Sequence, residues 1–86
     1  MMKRQAFTDA VNAFKHRVPF KPFVVEMENG KSLIVYRPDQ INCVYGSATY
    51  IYPDGQDWEL FVDNEDVLRV VELSDTAAAA NPPSGA

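Results

Sequence analysis

Apolar positions recur at helical spacing early in the chain and at strand spacing afterwards. Phe7, Ala10, Val11, Phe14 and Val18 lie three or four residues apart. That spacing draws one apolar stripe along an amphipathic helix of about three turns. Lys15, His16 and Arg17 fall in the last turn, where cations oppose the helix dipole. Pro19 ends the helix, because the residue before a proline avoids the α region. The pattern predicts a helix over about residues 3–17. In "PFKPF", which follows, two prolines hold the chain extended and Phe20 and Phe23 can anchor the helix to the next element.

The period then changes to two. "FVVEMENGKSLIVYR" alternates on both sides of Asn29-Gly30, a strong hairpin signal because a type I′ turn needs positive φ at both central residues. A two-residue loop sets Glu28 opposite Lys31, Val25 opposite Ile34 and Phe23 opposite Tyr36. The core face is then Phe23, Val25, Met27, Ile34 and Tyr36. "INCVYGSATYIY" reads as a third strand, with Gly46 marking a bulge or sharp bend. "PDGQ" is a turn, "DWELFV" a fourth strand, "DNED" another turn and "VLRVVEL" a fifth strand.

The fold class expected is mainly β, within α+β. An N-terminal helix precedes antiparallel strands over about 23–28, 31–37, 42–52, 57–62 and 67–73. Five short strands in that order curl into a strongly bent barrel, SH3-like or OB-like. Residues 74–86, "SDTAAAANPPSGA" from its first serine, carry no periodicity and no aromatic residue, and are expected to form a disordered or extended tail.

The 86 residues suffice for one small domain. A folded unit of about seventy residues buries only roughly 60% of its unfolded surface, so self-association or a partner would help it. Cys43 is the single cysteine, and a lone thiol fits a reducing compartment. "MMKR" leads into the polar "QAFTDAVNAF" rather than a secretory core. No apolar run approaches the ~18 residues of a membrane span. A cytoplasmic protein without a membrane partner is therefore expected.

Net charge is −4, unevenly spread. Residues 1–37 hold seven of the eight bases against three acids, whereas residues 38–86 hold Arg69 against nine acids. Nucleic-acid affinity comes largely from phosphate neutralisation, so any such role would rest on the basic front of the chain.

Residues able to do chemistry are few. His16 is the only histidine, placed at a helix end, and Cys43 sits in a predicted strand. Nothing in their spacing makes a nucleophile and base pair, so no catalytic residue is assigned. Asp54, Asp57 and Glu59 gather at one turn, and Asp63, Glu65 and Asp66 at another. Neither spacing is that of a calcium loop, so no metal or cofactor is expected. Tyr36, Tyr45, Tyr50, Tyr52 and Trp58 all fall on predicted strands. Exposed, they could stack bases; the regular sharing of faces by Tyr50 with Tyr52, and by Trp58 with Leu60 and Val62, favours core packing.

A helix followed by a bent five-stranded sheet resembles the Sm-like/Hfq-like small β-barrel family. "FTDAVNAFKHRVP" resembles that family's basic-ended helix. "FVVEMENGK" and "DQINC" resemble the start and close of its first motif, and "LFVDNEDVLRVV" its second. The likeness spans about residues 5–73. The chain departs from the pattern in a shorter run from Gly30 to Asp39, a missing second glycine, the insertion "FKPF" and Asp63-Asn64 where the family has Arg-Gly. It also resembles a set of small bacterial proteins with a helix, a "PFxPF"-like element and an "NG" or "DG" hairpin, a likeness that implies no function.

The Sm resemblance implies a homo-oligomeric ring in which the fourth strand of one subunit pairs with the fifth of the next. It matches Asp39 and Asn42 to positions that read a base, and Lys15 and Arg17 to a basic rim that meets RNA phosphates. Tyr36 joins these as a stacking candidate by its place before the turn. The expected function is a non-enzymatic oligomeric barrel that binds single-stranded RNA. The alternative is a protein-interaction or structural module, suggested by the acidic second half and by Asp63.

Overall fold

The computed structural model describes residues 1–53 and 58–75. One helix, α1 (Arg4–Lys15), precedes six strands: β1 (Phe23–Met27), β2 (Ser32–Val35), β3 (Ile41–Val44), β4 (Ser47–Ile51), β5 (Glu59–Asp63) and β6 (Val67–Glu72). They form two three-stranded antiparallel sheets, ordered β2-β1-β6 and β3-β4-β5. The expected α+β class with an N-terminal helix is present. The expected single five-stranded barrel is not: the described residues form six strands, in two sheets that do not close on one another.

Two local conformations account for the difference. Tyr45 and Gly46 both have positive φ, 51° and 82°, so they make a two-residue hairpin turn rather than a bulge. The turn folds the predicted third strand back on itself, with Val44 opposite Ser47. Between β2 and β3, Pro38–Gln40 form a 3-10 turn. Proline supplies no amide there, and the ladder of one sheet ends before that of the other begins.

The Asn29-Gly30 hairpin also departs from expectation. Only Gly30 has positive φ, 88°. The Gly30 amide donates to the Met27 carbonyl (3.0 Å), the Met27 amide donates to that of Lys31 (2.8 Å), and the Lys31 amide donates to Asn29 Oδ1 (2.9 Å). This is a type I turn followed by a left-handed glycine, a three-residue loop. It moves the register by one residue: Phe23 faces Val35, Val25 faces Leu33 and Glu26 faces Ser32. A one-residue slip exchanges the faces of a strand. Leu33 and Val35 therefore enter the core, and Ile34 and Tyr36 do not.

The core lies between the sheets and under α1. It joins Phe7 and Val11 of the helix, Phe23, Val25, Leu33, Val35 and Val67 of one sheet, and Ile41, Cys43, Ala48, Tyr50 and Val62 of the other. Phe14 stacks on Phe23 at 5.1 Å, and Phe20 meets Phe23 edge-on at 6.1 Å, the anchoring expected of "PFKPF". The helix stops at Lys15, two residues short of the expected end. Val18 then leaves the apolar stripe and is 96% exposed, because the following proline draws it out of the α region. The expected tail beyond residue 75 and most of the "PDGQ" turn lie outside the described residues. Among the described residues, no helix is long and apolar enough to cross a membrane.

Candidate functional site

The bend between the sheets carries three of the five residues singled out in the sequence. Gln40 builds it. Its side chain is 1% exposed; Oε1 accepts from the Tyr36 and Arg37 amides (2.6 and 3.1 Å), and Nε2 donates to the Ile51 carbonyl (3.1 Å). A buried amide that satisfies three backbone groups fixes the direction in which the chain leaves β2. Sequence reasoning missed Gln40. A polar residue directly before the alternating Ile41 and Cys43 was the available signal, but the 3-10 turn breaks the alternation that would have pointed it inward.

Around that anchor, Tyr36 is half-exposed and Asp39 is exposed. Asp39 pairs with Arg37 at 3.5 Å, both side chains largely in solvent, so the pair adds little stability. Asn42 projects from the outer face of β3, in a row with Thr49 and Phe61. Among the described residues, no hydrogen bond engages its side chain.

Lys15 and Arg17 lie apart from these three. Arg17 donates to Glu72 at 3.4 Å and sits over the Phe14 ring, 5.7 Å from its centre. Glu72 and Val35 flank Phe23 on opposite sides. Arg17 is thus held at the far edge of the sheet from Tyr36, about two strand spacings or roughly 10 Å away. Lys15 is close enough to Cys43 for its charge to favour the thiolate.

Aromatic side chains are split by position. Tyr50 is buried; its hydroxyl donates to the Ile34 carbonyl at 2.7 Å, joining the two sheets. Burial pushes its pKa up, and the neighbouring Tyr36 and Tyr52 hydroxyls add to the shift. Tyr52 touches Tyr50 edge-on at 5.3 Å, but it and Trp58 run past the end of the core. The Trp58 indole is 63% exposed, and Phe61 on the outer face of β5 is 79% exposed. The expected packed face therefore holds for Tyr50, Leu60 and Val62, and fails at Tyr52 and Trp58.

Cys43 and His16 are not brought together. Cys43 is buried, its thiol 3.7 Å from Thr8 Oγ1, and burial raises its pKa. His16 is exposed at the C-terminal cap of α1. Asp63-Asn64 has a structural task. Asp63 caps the 3-10 turn Asn64–Asp66 between β5 and β6. The Asn64 amide donates to the Gly46 carbonyl (2.8 Å) and its side chain to the Met2 carbonyl (2.8 Å).

The described residues form at least two surface depressions. A groove of about 440 Å³ is lined by Lys21, Pro22, Glu72, Leu73 and Ser74, at the end of β6. A smaller one of about 380 Å³ runs along β4 and β5, lined by Thr49 and Phe61 among others. Among the described residues, no three His, Cys, Asp or Glu side chains converge to hold a metal ion. No family model, curated protein or solved structure matches the chain.

Proposed function

We propose that this protein is a non-enzymatic, Sm-like assembly module, in which β5 of one copy pairs with β6 of the next. The supporting observation is that β5 and β6 are both open sheet edges carrying large exposed apolar side chains, Phe61 at 79% and Leu68 at 51%. Unpaired edges are templates for another chain, and pairing in a ring would use both. Counted across the Pro38–Gln40 turn, β2 and β3 occupy the place of one bent strand. That reading is in keeping with the bent five-stranded sheet implied by the Sm resemblance.

Size exclusion with light scattering tests the proposal. The expected result is an oligomer that Phe61→Lys reduces toward monomer; a wild-type monomer at all concentrations removes it.

A second reading, single-stranded RNA at the bend, is favoured by Tyr36, Asp39 and Asn42, which offer a ring and two polar groups to solvent beside one buried anchor. Against it, Arg17, Arg37 and Arg69 are each held by a carboxylate, Glu72, Asp39 and Glu26 in turn. Labelled oligonucleotide binding separates the readings. RNA binding should weaken steeply with salt. Asn42→Ala should change base preference, whereas Lys15→Ala should weaken all sequences alike.

A further inference from the structure

Among the described residues, no core receives Trp58, which is 63% exposed. The Tyr52 amide donates to its carbonyl at 2.9 Å, one step beyond the last sheet pair, Ile51 with Glu59. Its side chain follows Leu60 and Val62 on the core-facing row, yet no core extends that far, and the large indole stands in solvent. The groove beside Lys21, Pro22, Glu72, Leu73 and Ser74 is the complementary feature. It lies at the end of β6, held open by a backbone bond from Leu73 to Pro22 (3.1 Å) and by the Arg17–Glu72 pair.

Resting on the β5–β6 pairing proposed above, we infer that Trp58 of one copy seats in this groove of the next copy and sets the register of the pairing. Side chains alternate along a strand, so two paired strands must bring their core-facing rows together. On β5 that row is Leu60 and Val62, which pack against the core; on β6 it includes Val70, and Glu72 beside Phe23. An antiparallel alignment with Leu60 opposite Val70 matches the rows and uses all of β5. It sets Phe61 opposite Arg69 and Trp58 opposite Glu72, at the mouth of the groove. Sliding by two residues either way sets Leu60 against the Glu72 carboxylate or against the exposed Leu68 at the irregular register of β6, and shortens the ladder.

Charge agrees with this alignment. Lys21 lines the groove that the indole enters, whereas a parallel pairing would carry Trp58 to the other end of β6. Lys21 beside an indole face adds a cation–π contact.

Trp58 is the only tryptophan, so its fluorescence reports the contact directly. With rising protein concentration, emission should shift to shorter wavelength and acrylamide quenching should fall several-fold, in step with the mass from light scattering. Trp58→Ala should weaken association on the order of tenfold or more while circular dichroism stays unchanged. Ser74→Phe, which fills the groove from an exposed position, should do the same. The double variant should be no weaker than either alone, as expected for two halves of one contact. An oligomer whose Trp58 stays as quenchable as in the dilute protein overturns the seating and leaves edge pairing standing. A monomer under all conditions overturns both.

Discussion

The two glycine turns of this molecule carry opposite lessons. Asn29-Gly30 has the sequence of a two-residue I′ turn and is a three-residue loop. Tyr45-Gly46 has a large aromatic where Asn or Gly is usual, and is the two-residue turn with both φ angles positive. The difference lies in what surrounds them. The Asn29-Gly30 loop satisfies most of its groups within itself, through Met27, Asn29 and Lys31, with open space around Gly30. Gly46 is enclosed. Its amide donates to Thr8 Oγ1 at 2.8 Å, and its carbonyl accepts from Asn64. Helix α1 and the turn before β6 thus grip the second hairpin from two sides, and tertiary contacts override local preference.

Gly46→Ala should break that grip and have the largest effect. A methyl group there meets the stem of Arg4 and lies 2.9 Å from Asn64 Oδ1, at a φ of +82°. Left-handed strain plus the enforced shift should cost about 3 kcal/mol, read as a lower urea midpoint at constant slope. Thr8→Val comes next. It keeps the shape but removes the acceptor of the Gly46 amide, and a buried donor left unpaired costs about 2 kcal/mol. If Thr8→Val leaves the midpoint unchanged, the grip of α1 on this hairpin carries no weight.

The same contrast explains what could be read from the sequence. The helix, the strand from Phe23 and the antiparallel order were legible because apolar spacing reports burial directly. Register was not. Both faces of the first hairpin are apolar, so Leu33 and Val35 compete equally with Ile34 and Tyr36 for the core, and the loop length decides between them. The sixth strand was hidden because a tyrosine at positive φ is rare. Around the bend, Tyr36, Asp39 and Asn42 were singled out from turn chemistry and resemblance, and their side chains are exposed. Gln40 went unseen, since its role depends on Ile51, eleven residues away in another strand. Trp58 and Tyr52 were assigned to packing because alternation fixes a face and leaves open whether anything covers it.

Gly30→Ala sharpens the comparison from the other side. The positive φ is equally demanding there, at +88°, but nothing lies within 4 Å of an added methyl. Backbone strain alone should cost about 1 kcal/mol, roughly a third of the loss at Gly46. Equal losses at the two glycines would mean that φ, rather than enclosure, controls both turns.

The smallest expected effect has the opposite sign. Tyr45 holds φ +51° with its side chain 81% exposed, so it bears left-handed strain and gains little from burial. Asparagine tolerates that region better, and Tyr45→Asn should stabilise the fold by about 0.5 kcal/mol, raising the urea midpoint without changing the slope. The same variant leaves Gly46, Thr8 and Asn64 in place, so the hairpin should keep its register. A gain in stability would show that folding does not select the tyrosine. A loss would show that its exposed ring contributes packing over the turn, and that the grip on this hairpin extends beyond Gly46 to both central residues.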